Sequence, residues 1–156
     1  MSKKIIFIRV LLFVLILLTI WFIWSNSLES ASESSAASNS VIEKVKPVID
    51  PHDKIDDDVF VKIVRKAAHF SEFALLGCEV YLIVISFEKP DKRLHKILST
   101  IAVSFPVAVI DELLQLTSEG RSCEFSDMMI DLSGIIAGVL LLSLLCKIIL
   151  KISKKQ

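Results

Sequence analysis

Several ionisable residues of this chain stand in segments that are otherwise apolar enough to sit in a membrane. His69, Glu72 and Glu79 interrupt one such segment, Asp111, Glu112 and Gln115 close another, and Asp127 and Asp131 open a third. An ionisable side chain at the centre of a membrane helix costs ~2.5–3.5 kcal/mol on insertion scales, so these residues are expected to face a bundle interior and to mark function. Histidine beside carboxylates suits acid/base chemistry, with His69 and Glu72 or Asp111 as the pair. Arg121, in the polar stretch between two apolar segments, suits holding a phosphate. No nucleophile is identifiable, and no GxSxG, Gly-rich phosphate loop or HExxH is present. His69, Glu72, Asp111 and Asp131 carry metal-ligating atoms, but one histidine with carboxylates has no diagnostic spacing, so no metal and no cofactor is expected.

The elements that must position these residues are four apolar spans, at about 5–24, 67–87, 97–116 and 128–150. At 1.5 Å per residue each rises ~30 Å, one hydrocarbon core. The first is broken only by Arg9 and ends on Trp21 and Trp24, as at an interfacial belt. Lys3 and Lys4 before it also suit a cleaved signal peptide, but the run is longer than a signal core, which favours an uncleaved span. Residues 25–56 read as a flexible Ser-rich outer loop, since half of residues 25–40 are serine. Asp57 or Asp58 would cap an amphipathic turn with Val59, Ile63 and Ala67 on one face, lying along the membrane and leading into the second span. A charged loop with Pro90 follows that span, and Pro106 predicts a kink in the third. The fold class is therefore all-α, a polytopic four-helix membrane bundle formed by a single domain, 1–156.

Lysine and arginine in short loops set the orientation. Lys3, Lys4 and Arg9, then Lys89, Lys92, Arg93 and Lys96, then Lys147, Lys151, Lys154 and Lys155 fall on one side; the other short loop has only Arg121. Both termini are expected to be cytoplasmic. His69, Glu72, Asp111, Glu112, Gln115, Asp127 and Asp131 then lie near the outer boundary, most within ~10 Å of it.

Helical phase puts Asp127, Asp131, Gly134 and Gly138 on one stripe, with Gly134 and Gly138 a small-xxx-small pair for close helix packing. His69, Glu72, Leu76 and Glu79 share a face, as do Asp111, Glu112 and Gln115, with Ser104 deeper. The expectation is a polar pocket open to the outside between the second, third and fourth spans, with Arg121 reaching into it. Its excess of carboxylates predicts protonation of some of them, or a bound cation. Glu79, near mid-membrane, is expected to be neutral and hydrogen-bonded to Ser104. Glu79 alone and the glycine pair suit a structural role, whereas six or more polar groups at one depth suit a functional one.

The composition agrees with a membrane protein. The 156 residues are 53% hydrophobic and carry no formal net charge, so nucleic acid is not an expected partner. The three cysteines, Cys78, Cys123 and Cys146, imply neither a pairing nor a zinc site.

The same residues carry a family pattern. The chain resembles the VanZ-like family of small bacterial membrane proteins, named after a teicoplanin-resistance protein. The matching stretches are Arg65-Lys-Ala-Ala-His69-Phe-Ser-Glu72-Phe with Leu76-Gly77, Asp111-Glu112-Leu-Leu-Gln115, Gly120-Arg121, and Asp127-x-x-x-Asp131-x-x-Gly134-x-x-x-Gly138. The end of the first span, Phe22-x-x-Ser25, also fits. Asp131 stands where the family often has asparagine, Ser27 where it often has glutamine, and the usual proline before Gly120 is missing. The resemblance implies a multi-pass protein of the bacterial cytoplasmic membrane and lowered susceptibility to lipophilic glycopeptides. Its expected partner is a membrane lipid or lipid-linked envelope precursor, bound in the pocket or chemically altered there.

Overall fold

A computed structural model describes residues 2–52, 54–87 and 92–153. Lys89 and Pro90 of the charged loop, and Lys154 and Lys155, lie outside the described residues. Five helices follow in order: α1 (Lys3–Ser27), α2 (Ala31–Ile49), α3 (Asp57–Phe87), α4 (Arg93–Gln115) and α5 (Phe125–Ser153). Among the described residues there is no strand. The helices α1, α3, α4 and α5 are long and apolar enough to cross a membrane. Their large exposed side chains, such as Phe7, Leu18, Leu98, Val103, Leu141 and Ile149, suit contact with lipid.

The helix α3 lies at the centre and touches each of the other four. Phe73, Leu76, Val80 and Tyr81 of α3 form the core with Ile16 and Ile23 of α1, Ala108 of α4, and Ile135 and Val139 of α5. Inside a membrane helices gain little from the hydrophobic effect, so close backbone approach matters more. A Cβ on Gly77 would lie 2.6 Å from the Ile135 carbonyl oxygen. One on Gly134 would run into the Phe70 carbonyl, and one on Gly138 into the Ala74 carbonyl. These three glycines let α3 and α5 touch along their backbones, and the Cys78 thiol donates to the Gly138 carbonyl at 3.3 Å.

The flexible loop expected over 25–56 is corrected by α2. Ser30 caps that helix: its hydroxyl accepts from the Glu33 amide, and the Glu33 carboxylate accepts from the Ser30 amide. This reciprocal box supplies partners that an isolated serine-rich segment lacks. The Ala31 amide donates to the Glu119 carbonyl at 3.0 Å, and Ser38 and Ile42 are buried. Lys46 forms an ion pair with Asp57 across to α3.

The separate amphipathic turn is also corrected. Asp56, not Asp57 or Asp58, supplies the oxygen that accepts the Asp58 amide, at 3.0 Å. From Asp57 the helix runs unbroken to Phe87, because no glycine or proline interrupts it before the span. At 1.5 Å per residue α3 is ~46 Å long, well beyond a ~30 Å hydrocarbon core, so its first turns project past the membrane and carry α2. The helix α4 likewise continues through Pro106.

Candidate functional site

Polar side chains from four helices meet at the end of the bundle that bears the α4–α5 loop. Helix α4 contributes Asp111, Glu112 and Gln115, all buried, and α5 contributes Asp131, with 1% of its surface exposed. Helix α3 supplies His69 and Glu72, both half-buried. Helix α1 joins them through Asn26 and the fully buried Ser27.

Hydrogen bonds fix much of this cluster. Ser27 Oγ donates to Asp111 Oδ1 at 2.6 Å, and Gln115 Nε2 donates to Asp111 Oδ2 and to Glu112 Oε1, each at 3.2 Å. Glu112 Oε2 accepts the backbone amide of Glu124 at 3.1 Å, which ties α4 to the start of α5. Asn26 Nδ2 donates to Glu72 Oε1 at 3.1 Å. His69 Nδ1 stands 3.7 Å from Asp111 Oδ2 and 3.8 Å from Asp131 Oδ1, beyond hydrogen-bond range. Both oxygens of Asp131 and Glu72 Oε2 are buried without a hydrogen-bond partner. Among the described residues no lysine or arginine pairs with Glu72, Asp111, Glu112 or Asp131.

Asp127 lies at the rim rather than in the cluster, half-buried and ion-paired with Lys66. Arg121 is placed differently from the expectation. Its Nη1 donates to the carbonyls of Asn26 at 3.0 Å, Ser27 at 3.3 Å and Glu29 at 3.5 Å. The last turn of a helix leaves carbonyls without amide partners, and its partial negative charge attracts a cation. Arg121 therefore clasps the end of α1, helped by Ser118, whose hydroxyl donates to the Ser27 carbonyl at 2.9 Å. Burial, then the nearby Arg65 charge, lowers the Arg121 pKa from its ordinary value.

Glu79 is deeper, and its partner is not Ser104. Thr19 Oγ1 of α1 donates to Glu79 Oε1 at 3.1 Å, while Ser104 Oγ is buried with no partner. Trp24 also turns inward: its indole N–H donates to the Val107 carbonyl at 3.3 Å, while Trp21 is 68% exposed.

The contributions of Thr19, Asn26 and Ser27 were missed from sequence. Their signal is positional. Ile16, Thr19, Ile23 and Asn26 recur at helical spacing, and three of the few polar residues of α1 lie on or beside that stripe.

Among the described residues, two openings lie at or beside this end of the bundle. One is a crevice of about 10 Å³, lined by Arg65, Lys66, His69, Asp127, Ile130 and Asp131, with room for about one water. The other is a groove of about 940 Å³ between α2 and the projecting start of α3, whose lining includes Lys46, Lys62 and Arg65 along with Glu43, Asp50 and Asp57. Arg65 borders both.

A family model described as VanZ/LLP1 matches residues 10–147, a range that includes every side chain of the cluster. No curated protein and no solved structure matches the chain.

Proposed function

This chain belongs to the VanZ/LLP1 family, and from that premise we propose that it binds a lipid-linked envelope component at the polar end of its bundle and so lowers bacterial susceptibility to lipophilic glycopeptides. The membrane is the cytoplasmic membrane, with both termini inside and the α4–α5 loop outside. The observation that carries the reading is the stack of groups at that end. Buried carboxylates and His69 lie beneath Arg65 and Lys66, and Arg65 also faces a groove large enough for a headgroup. A phosphate-bearing headgroup in the groove would meet Arg65 and Lys62, while its lipid tail remained in the bilayer.

Acid/base catalysis on the same lipid is the second reading. The placement of His69 Nδ1 between the carboxylates of Asp111 and Asp131 favours it. Under this reading His69→Gln abolishes function abruptly and a chemically altered lipid accumulates in wild-type cells. Under simple binding, function falls in proportion to affinity and no new lipid forms.

The test is teicoplanin susceptibility of a sensitive Gram-positive host carrying the wild-type chain, Lys62→Ala or Arg65→Ala at matched membrane abundance. Protection by the wild type and its loss in both variants is the expected outcome. A host left unprotected by the wild type would remove the resistance role.

A further inference from the structure

Two buried aspartates and a histidine meet here without completing hydrogen bonds among themselves. One ligand atom from each of His69, Asp111 and Asp131 lies within 4.8 Å of the other two. Asp131 is 1% exposed, and neither of its oxygens has a hydrogen-bond partner. A buried carboxylate in that condition is costly, and an ion is one of the few things that accounts for it. A proton shared with His69 does not serve, because 3.7–3.8 Å is too long for a hydrogen bond, and a proton on Asp131 alone would still leave both of its buried oxygens without partners.

We infer that His69, Asp111 and Asp131 form a binding site for a divalent first-row transition-metal ion, with zinc the best match. Zinc bonds histidine nitrogen and carboxylate oxygen at ~2.0–2.2 Å, so tetrahedral ligand atoms lie ~3.4 Å apart. The observed separations from His69 are wider than this by only a few tenths of an ångström. Mixed nitrogen and oxygen donors favour such an ion over magnesium or calcium, which prefer all-oxygen sites.

Asp111 is oriented as a metal ligand should be. Ser27 holds one of its oxygens and Gln115 the other. Three protein ligands leave a fourth position for water or an oxygen of a bound molecule. The crevice lined in part by His69 and Asp131 gives that position its access.

The site requires no particular envelope ligand, so it can be tested apart from the proposed function. The full untagged chain would be stripped of metal in detergent and titrated with zinc by calorimetry, alongside His69→Gln and Asp131→Asn variants shown to be monodisperse and helical. One zinc per chain is expected, with affinity lowered at least about tenfold in each variant. Cobalt(II) added to the wild type provides a second reading that needs no variant: visible bands of a four- or five-coordinate nitrogen/oxygen site are expected, with no thiolate charge-transfer band. Absence of stoichiometric zinc binding by folded wild type would overturn the site. So would unchanged affinity in both folded variants, or a cobalt spectrum showing sulfur ligation.

Discussion

Ser27 and Asp131 make opposite predictions at the scale of single residues. The Ser27 hydroxyl is buried and donates to Asp111 at 2.6 Å. Ser27→Ala leaves that carboxylate oxygen without its donor, a cost of ~1–3 kcal/mol. Thermal unfolding in detergent should show a lower midpoint for Ser27→Ala and no change for Ser25→Ala, whose hydroxyl bonds only the exposed Phe22 carbonyl. Asp131 has no such partner, so replacing a buried charge by a neutral amide of the same shape removes a cost. Metal-free Asp131→Asn should unfold at or above the wild-type temperature; a clearly lower midpoint would show that the charge is compensated in the metal-free fold. His69, Glu72, Asp111 and Asp131 were legible in the sequence because ionisable residues stand out against apolar runs. Asn26 and Ser27 were not, because a serine or asparagine closing a span reads as the start of a loop. The partner of Glu79 was misread for a related reason: α1 is apolar almost all round, which hides the face that carries Thr19.

The contact between α3 and α5 depends on glycine, and α2 depends on its cap. Gly138→Leu places a side chain against the Ala74 backbone, which cannot move out of its own helix. Low membrane yield and early unfolding are expected for it, with normal behaviour for Ser133→Ala on the exposed side of α5. The Ser30 hydroxyl, and then its amide, hold the Glu33 carboxyl below its ordinary value of 4.5. The cap is thus fully present above that pH and is lost as pH falls through the lowered folded value. Amide protection across residues 31–36, taken relative to intrinsic exchange at each pH, should fall in acid, and Glu33→Gln should make it less pH-dependent. The four spans were readable from hydropathy and length. The helix α2 was not, because serine has modest helix propensity and composition outweighed the Ser30-x-x-Glu33 capping signature. The continuity of α3 was also missed, since the change from polar to apolar residues near Ala67 resembles a boundary although nothing there breaks a helix.

At the scale of the whole molecule, the account needs the polar end of the bundle to face outward. Cys123, in the α4–α5 loop, reports on this, whereas Cys78 and Cys146 lie within the spans. Burial, and then the Glu112 charge, raises the Cys123 thiol pKa, so labelling should be done at mildly alkaline pH. An impermeant maleimide should label Cys123 in intact cells; labelling only after lysis would reverse the topology. Family membership from the ordered motifs was open to reading along the chain; the distribution of lysine and arginine supplies the orientation that the Cys123 labelling tests. The closing of the cluster by α1 and the groove beneath α2 were not, because they arise where segments distant in sequence meet. The measurement that bears most directly on the central claim is binding of a polyprenyl diphosphate probe to the full chain in nanodiscs of neutral lipid. Saturable binding is expected, weakened at least about tenfold, or ~1.4 kcal/mol, by Arg65→Ala and by Lys62→Ala, the two cations of the groove that the headgroup would meet. Equal binding of an uncharged polyprenol, or no change in either variant, would contradict headgroup recognition at this end of the bundle.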